Sequence, residues 1–449
     1  MPATRSRKLA TTAVLLGLVV SAFEGTVVTT AMPTITRALG NSALYAWVFT
    51  AFLLACTLGV MLVGKLGDQL GRKPAFLGGL ALFLAGSVLC GAATSVPWLI
   101  AFRVVQGLGA GAVQPTTMTI AADLYTLKER AVVQSVFTGT WGLANVLGPV
   151  IGGFIVLHGS WRWVFLVNVP VGVLAAVLLA ISYRDPKRTR APVDLRGPLL
   201  AGASVSALLV ALEPGGHPLR RASLAALGLL LGAVFVRQQR DPRSRLVPLE
   251  YLRDRTVQSG LLGGAFGGAL LYATAAYVPL WMTAHGYSAL WAGLALLPML
   301  TGWAIGSAFG VEVLIRGGMR ASVGGGFALS AAGAILLALV IAARLPIGWA
   351  FAALGVLGLG LGPAASTATI GPQSVVPWSA RSMITSAIYS TRMLGGAIVI
   401  SLLDLSRGDP GVQVALLAPV ALVAGALLLA LSPAGRMADR AEPLDLVVE

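Results

Sequence analysis

The chain has 449 residues, of which 57% are hydrophobic and 11% charged, and its net charge is +15. A soluble domain carries roughly 25% charged residues, so this chain cannot cover itself with polar groups and its solvent is mostly lipid. The apolar runs are long and continuous, which excludes an alternating-strand barrel. The positive charge sits in short clusters between those runs, which argues against a nucleic-acid surface.

A membrane crossing takes about 20 apolar residues. Read in chain order, the apolar runs and their breaks predict helical spans over 10–32, 44–64, 75–94, 97–122, 132–156, 163–183, 197–213, 221–237, 257–283, 289–312, 321–342, 347–371, 381–403 and 412–431. The first run follows a basic start that mimics a signal peptide. It continues past Val28 and contains Glu24, so it reads as an uncleaved first span. The central pair, 197–213 and 221–237, is short for a crossing and either crosses or lies on the surface. Cys56 and Cys90 fall inside apolar runs as small core side chains, with no disulfide or metal spacing.

With the N-terminus inside, the basic clusters at 5–8, 65–73, 128–130, 184–196, 237–255, 316–320, Arg381 and 436–440 all face the cytoplasm. Only Arg37, Arg162, Arg220, Arg221, Arg344 and Arg407 fall outside, so both termini are expected in the cytoplasm. Trp47, Trp98, Trp161, Trp163, Trp281, Trp291 and Trp349 fall near outer ends, where indole favours the headgroup region.

The turn GKLGDQLGRK (Gly64–Lys73) between spans two and three has a counterpart, IRGGMR (Ile315–Arg320), between spans ten and eleven. Like turns at like places suggest two six-span halves around a central insert. Internal repeats of this kind mark transporters with a site between the halves. The expected organisation is a six-helix bundle over 1–184, a linker with two extra helices over 185–256, a second six-helix bundle over 257–435 and a tail over 436–449.

An ionic side chain at the bilayer centre costs at least about 2.5 kcal/mol and is a functional candidate by default. Three stand well inside spans. Glu24 lies about 14 residues into span one, roughly 20 Å of helix rise. Arg103 lies in span four and Arg392 in the middle of span thirteen. A carboxylate moving between wet and dry surroundings, with a cation nearby, can load and release a proton. Glu24 is therefore the expected proton acceptor, with Arg103 or Arg392 as its cation. Tyr272, Tyr277, Trp303, Tyr389 and Met393, with Trp141 as a similar case, are polar-tipped or soft side chains within spans. They either line a cavity for an amphiphile or pack as core.

These residues resemble the major facilitator superfamily, and within it the fourteen-helix drug:proton antiporters. The resemblance rests first on Gly64, Asp68, Gly71, Arg72 and Lys73 in the span two–three turn. It rests also on Arg103, Gln106, Gly107, Gly109 and Gly111 in span four, and on Trp161, Arg162, Trp163, Phe165, Asn168 and Pro170 leading into span six. Span five, with Gly139, Gly142, Gly148, Pro149, Gly152 and Gly153, is similar to the family's antiporter motif, in which small residues allow close helix packing at a hinge. In span one the family more often has aspartate where Glu24 stands and asparagine where Thr29 or Thr30 stands.

The resemblance implies an all-α polytopic membrane protein of the major facilitator fold, fourteen transmembrane helices in the inner membrane. It implies a cytoplasmic gate of Gly64, Asp68, Gly71, Arg72 and Asp123, made and broken as the halves rock. If that gate is exposed, each pair contributes about 0–1 kcal/mol. Thr30 and Asn145 join the expected substrate cavity. No nucleotide, redox or metal motif is present, so neither cofactor nor metal is expected. GLGAG (Gly107–Gly111) lies within a span and only spells a nucleotide loop. The implied function is multidrug efflux, with a role in antibiotic resistance: proton in, amphiphile out, by a monomer whose partners are protons, membrane lipids and a small-molecule amphiphile. Lipid or glycolipid export by the same fold, and a non-transporting receptor or scaffold, are the rival readings.

Overall fold

The computed structural model describes residues 3–40, 45–185, 196–212, 218–238, 251–287, 291, 294–405 and 410–434. Every regular element among them is helical. In lipid each backbone N–H and C=O must be satisfied within its own segment, and a helix does that. The first half comprises α1 (Ala3–Leu39), α2 (Tyr45–Leu70), α3 (Arg72–Gly91), α4 (Val96–Leu124), α5 (Leu127–His158), the short α6 (Trp163–Leu166) and α7 (Asn168–Ser182). α8 (Arg196–Leu212) and α9 (Pro218–Gln238) follow. The second half comprises α10 (Arg255–Ala284), α11 (Leu297–Met319), α12 (Gly325–Ala342), α13 (Ile347–Val375), α14 (Trp378–Leu405), the short α15 (Pro410–Ala415) and α16 (Leu417–Leu431). Among the described residues, eleven helical stretches are long and apolar enough to cross a membrane, one of them the 46-residue run Leu297–Ala342.

Local sequence sets the breaks. The span expected over 163–183 lapses at Val167 because Pro170 has no N–H to give the Leu166 carbonyl. The last span lapses at Leu416 in the same way, three residues before Pro419. The turn expected at Ile315–Arg320 contracts to Gly318, whose φ of 74° admits glycine readily, and α11 runs on to Met319. Within the tenth span α11 opens at Leu297 with Pro298 in its first turn, where a missing N–H costs nothing. Trp291 before it is also helical, and the start expected at 289 lies outside the described residues. α1 begins at Ala3, earlier than expected, so Arg7 is helical, paired with Glu129 at 3.0 Å and stacked on Tyr125. A capping box starts α5: Thr126 accepts from the Glu129 N–H, and Glu129 accepts from the Thr126 N–H at 3.0 Å.

Apolar packing is gathered into separate clusters. The largest draws on α10–α16, from Leu270 through Leu428. Two others, around Phe76 and Phe137 and around Met32 and Phe165, belong mainly to α1–α7. α4 is gripped by its neighbours through glycine. A Cβ at Gly107 would lie 2.4 Å from the Phe52 carbonyl oxygen, one at Gly111 2.1 Å from that of Cys56, and one at Gly109 2.2 Å from the Phe83 nitrogen. The halves meet along α2 with α14 and along α5 with α11. α8 packs on α2, and α9 packs on α8 with most of its apolar face, including Leu219, Leu229 and Leu230, turned outward.

Candidate functional site

Two polar centres interrupt this apolar bundle. The first surrounds Glu24, which is 1% exposed deep in α1. Arg103, also 1% exposed, pairs with its Oε1. Asn168 Nδ2 donates to its Oε2 at 2.6 Å. The guanidinium is held in turn: Nη1 donates to Gln106 Oε1 at 2.8 Å, Nε donates to the Val48 carbonyl at 3.2 Å, and the plane lies 3.9 Å from the Phe52 ring centre. Gln106 donates onward to Ser87 Oγ at 2.9 Å. Arg103 and Gln106 share a face because they are three residues apart on α4. Asn168 reaches the carboxylate because α7 starts there, after the break at Val167. Five helices thus converge on one buried carboxylate.

The second centre lies where the α2–α3 turn meets the α13–α14 turn. Arg72, fully buried, pairs with Asp123 at the end of α4. It also donates to the Thr119 carbonyl at 2.9 Å and the Trp378 carbonyl at 3.3 Å, and lies 4.5 Å from the Trp378 ring centre. Trp378 Nε1 donates to Asp123 Oδ1 at 3.2 Å, and Tyr183 donates its phenol hydrogen to Oδ2 at 2.6 Å. Asp185 Oδ1 accepts the backbone N–H of Arg72 at 2.8 Å and of Lys73 at 3.1 Å, which caps α3. Gly71 has a φ of 99°, and a Cβ there would meet Asp185 Oδ2 at 2.5 Å, so the turn fits only glycine. Tyr183 lies just past the end of α7, and burial pushes its phenol up.

This geometry corrects the expectation of an exposed gate. The Arg72–Asp123 pair is sealed from solvent, so removing one partner strands a buried charge, at a cost of about 3–5 kcal/mol. Glu24 takes its cation from Arg103. Arg392 instead lies 4.9 Å from the Tyr389 ring centre. At Gly64 a Cβ would meet Ser386 at 2.7 Å, across the α2–α14 seam. A Cβ at Gly153 would meet nothing within 4 Å, so close helix approach at α5 does not occur there. Tyr277 donates to the Ile400 carbonyl at 3.0 Å and joins Trp303 in the core of the second half, not in a cavity. Met393 receives the Thr57 hydroxyl at 3.5 Å across the seam. The side chains of Thr30, Asp68, Trp141, Asn145 and Pro149, that of any residue at 142, and the segment 436–449 lie outside the described residues. Among the described residues no group of His, Cys, Asp and Glu could hold a metal ion.

Sequence reasoning passed over Trp378, Tyr183 and Asp185 and gave Asn168 and Gln106 no role. One signal was available: Trp378 is a tryptophan at an end where positive charge clusters, while most others fall at the opposite ends.

The described residues thus form a helical bundle with buried ion pairs in its first half and polar contacts across the seam between its halves. A family profile described as Major Facilitator Superfamily matches residues 14–400. The chain is 34% identical over 406 residues to the multidrug transporter protein MdtP of Bacillus subtilis, covering 88% of this chain and 74% of that one. It is 35% identical over 313 residues to multidrug resistance protein 3 of the same organism, covering 68% of this chain and 61% of that one. Among solved structures, a proton:xylose symporter, XylE, matches with a TM-score of 0.70 at 15% identity, over 97% of each chain. The human organic anion transporter MFSD10 matches with a TM-score of 0.62 at 18% identity, over 94% of this chain and 99% of that one. The chain belongs to the Major Facilitator Superfamily: it is a multi-pass membrane transporter of that fold, with multidrug transporters among its relatives.

Proposed function

We propose that this transporter is a proton-coupled antiporter of the fourteen-helix drug:proton branch, exporting amphipathic, lipophilic small molecules by alternating access. The observation that carries the proposal is Glu24, a carboxylate sealed in α1 with both oxygens held by groups that can survive its protonation. When Glu24 takes a proton, Arg103 keeps the Gln106 and Val48 oxygens and the Phe52 ring. The guanidinium keeps these hydrogen bonds while losing its counter-charge, so the two protonation states differ modestly in satisfied hydrogen bonds and by one net charge. A site with two accessible charge states is what coupling needs.

The second centre then acts as the gate. Arg72 and Asp123 belong to the first half and Trp378 to the second, so rocking of the halves breaks the Trp378 contacts first. The bundles run over 1–184 and 257–435, with 185–256 supplying two further crossings. The termini and the gate face the cytoplasm of the inner membrane. Relatives with multidrug names support the substrate class.

The test is purified protein in proteoliposomes with an imposed pH gradient, offered lipophilic amphiphiles of both charge signs and fluorescent lipids. The wild type moves an amphiphile against its gradient only while the pH gradient lasts. Glu24→Gln binds the same compound and loses pH-driven transport. Full proton-coupled transport by that variant ends the proposal.

A further inference from the structure

We propose that the seam between the halves holds an anion-recognition site built on Arg392, and that the preferred substrate is an amphiphile bearing an acidic group such as a carboxylate. The inference rests on the transporter reading above and names its substrate class.

Burying a guanidinium is costly unless it is paired or hydrogen-bonded, and three other buried arginines have such partners. Arg103 has Glu24, Arg72 has Asp123, and Arg130 donates to the Tyr125 and Ala122 carbonyls. Arg392 stands in the middle of α14, half-buried, and among the described residues no carboxylate lies within ion-pair distance of it. Its Nε has no hydrogen-bond partner. Its contact is the face of Tyr389, and Tyr272 lies within electrostatic reach. Glu24 and Arg103 balance one another, so among the described residues neither offsets the charge of Arg392.

The surroundings are arranged around that charge. α10 and α14 approach through their backbones: a Cβ at Gly268 would lie 1.8 Å from the Arg392 carbonyl oxygen, and one at Gly395 1.9 Å from that of Ala265. The Tyr272 ring lies over Gly396, where a Cβ would meet its Cδ2 at 2.4 Å. Tyr272 keeps 37% of its surface exposed although it is well inside α10. The guanidinium therefore sits on a rigid helix crossing, flanked by two phenols that can donate to an anion. Met393, one residue on, packs with Val20, Phe52, Cys56 and Phe83 of the first half, an apolar wall for the body of an amphiphile. A guanidinium matches a carboxylate with two parallel donors, and such charge-assisted bonds are about twice as strong as neutral ones. A cationic head at the same place meets repulsion, and among the described residues no carboxylate pairs with Arg392 to offset it.

The experiment compares three probes with one apolar body: 1-pyrenebutyrate, 1-pyrenebutanol and (4-pyren-1-yl-butyl)trimethylammonium. Binding to the purified full chain in neutral detergent is read by energy transfer from tryptophan to pyrene. The wild type binds the acid at least tenfold tighter than the alcohol, and the ammonium weaker than the alcohol. Arg392→Gln weakens the acid at least tenfold and leaves the alcohol within twofold, while Arg392→Lys keeps a preference for the acid. Equal binding of acid and alcohol by the wild type overturns the proposal, as does tightest binding of the ammonium. So does an intact acid preference in Arg392→Gln. If Arg392→Gln also loses the alcohol, the wild-type series and Arg392→Lys decide. Antiport is judged separately: pH-driven transport of the alcohol that requires Glu24 survives a failed anion site, and acid binding at Arg392 survives a failed Glu24 test.

Discussion

Replacing Trp378 with alanine separates the proposed gate from the folding of the first half. Arg72 and Asp123 remain paired within α3 and α4, and Tyr183 and Asp185 keep their own contacts. The substitution removes the ring 4.5 Å from the Arg72 guanidinium and the indole N–H on Asp123. A desolvated cation–π contact contributes about 2 kcal/mol, and a hydrogen bond to a charged group about 1.5–3 kcal/mol. The closed seam therefore loses about 3.5–5 kcal/mol, roughly two and a half to three and a half orders of magnitude at about 1.4 kcal/mol per factor of ten. These contacts exist only while the halves meet at this end, so the loss falls on the closed arrangement alone. Hydrogen–deuterium exchange reads it: amides in the first two turns of α14 and the last two of α2 exchange at least a hundredfold faster in Trp378→Ala. Trp378→Phe, which keeps a ring and loses the N–H, falls between. Trp98→Ala, at an exposed tryptophan starting α4, changes nothing there. Exchange in Trp378→Ala within threefold of wild type refutes the assignment.

Other substitutions test other parts of the structure. Gly111→Ala places a Cβ 2.1 Å from the Cys56 carbonyl oxygen, well inside contact distance, and lowers stability by about 1–3 kcal/mol. Gly153→Ala, with open space around it, leaves the thermal midpoint in detergent unchanged. Asn168→Ala leaves Glu24 Oε2 without its donor, at about 1–3 kcal/mol, and lowers that midpoint, whereas Asn168→Gln restores part of it. The Thr126 N–H, chiefly, and Arg7 hold the Glu129 carboxyl below its ordinary value of 4.5. A lowered folded value stabilises the fold above the unfolded one, and that stability is lost as pH falls through the folded value. Glu129→Gln therefore melts below wild type at pH 7, and the gap closes as pH falls below 4.5 and through the lowered folded value.

Much of the fold was legible because lipid imposes it. A helix must be long, apolar and internally bonded, and prolines and glycines mark where it stops, so runs and breaks alone placed most spans to within a few residues. Glu24 and Arg103 stood out because charge within a span is costly and rare. What the sequence hid was partnership. Nothing in the spacing of Glu24, Arg103 and Asn168 says that α1, α4 and α7 converge at one depth. Nor does chain order reveal that Trp378, over 250 positions after Asp123, donates to it. Burial was hidden as well: Arg72 sits at a span end, where arginine is normally solvated, and becomes fully buried only because α14 closes over it.

The two halves separate what the fold needs from what the proposed gate needs. Gly71 and Gly318 stand at equivalent turns with φ of 99° and 74°. Two residues on, Lys73 donates to the Ala180 carbonyl and Arg320 to that of Ser432, each at the last helix of its own half. Prolines break both of those last helices at the same place. Features that recur in both halves belong to the packing of each half around its own last helix. Between the glycine and the basic residue the halves diverge: the first half has Arg72 facing Asp123, and the second has Met319, buried against Gly371. A turn that packs well with methionine does not need a buried ion pair for its stability. Since an apolar contact serves the same geometry in the second half, the costly pair in the first is retained for something packing does not supply. An ion pair that also bonds Trp378 across the seam ties the closure of the halves to the state of that pair, which a methionine cannot do.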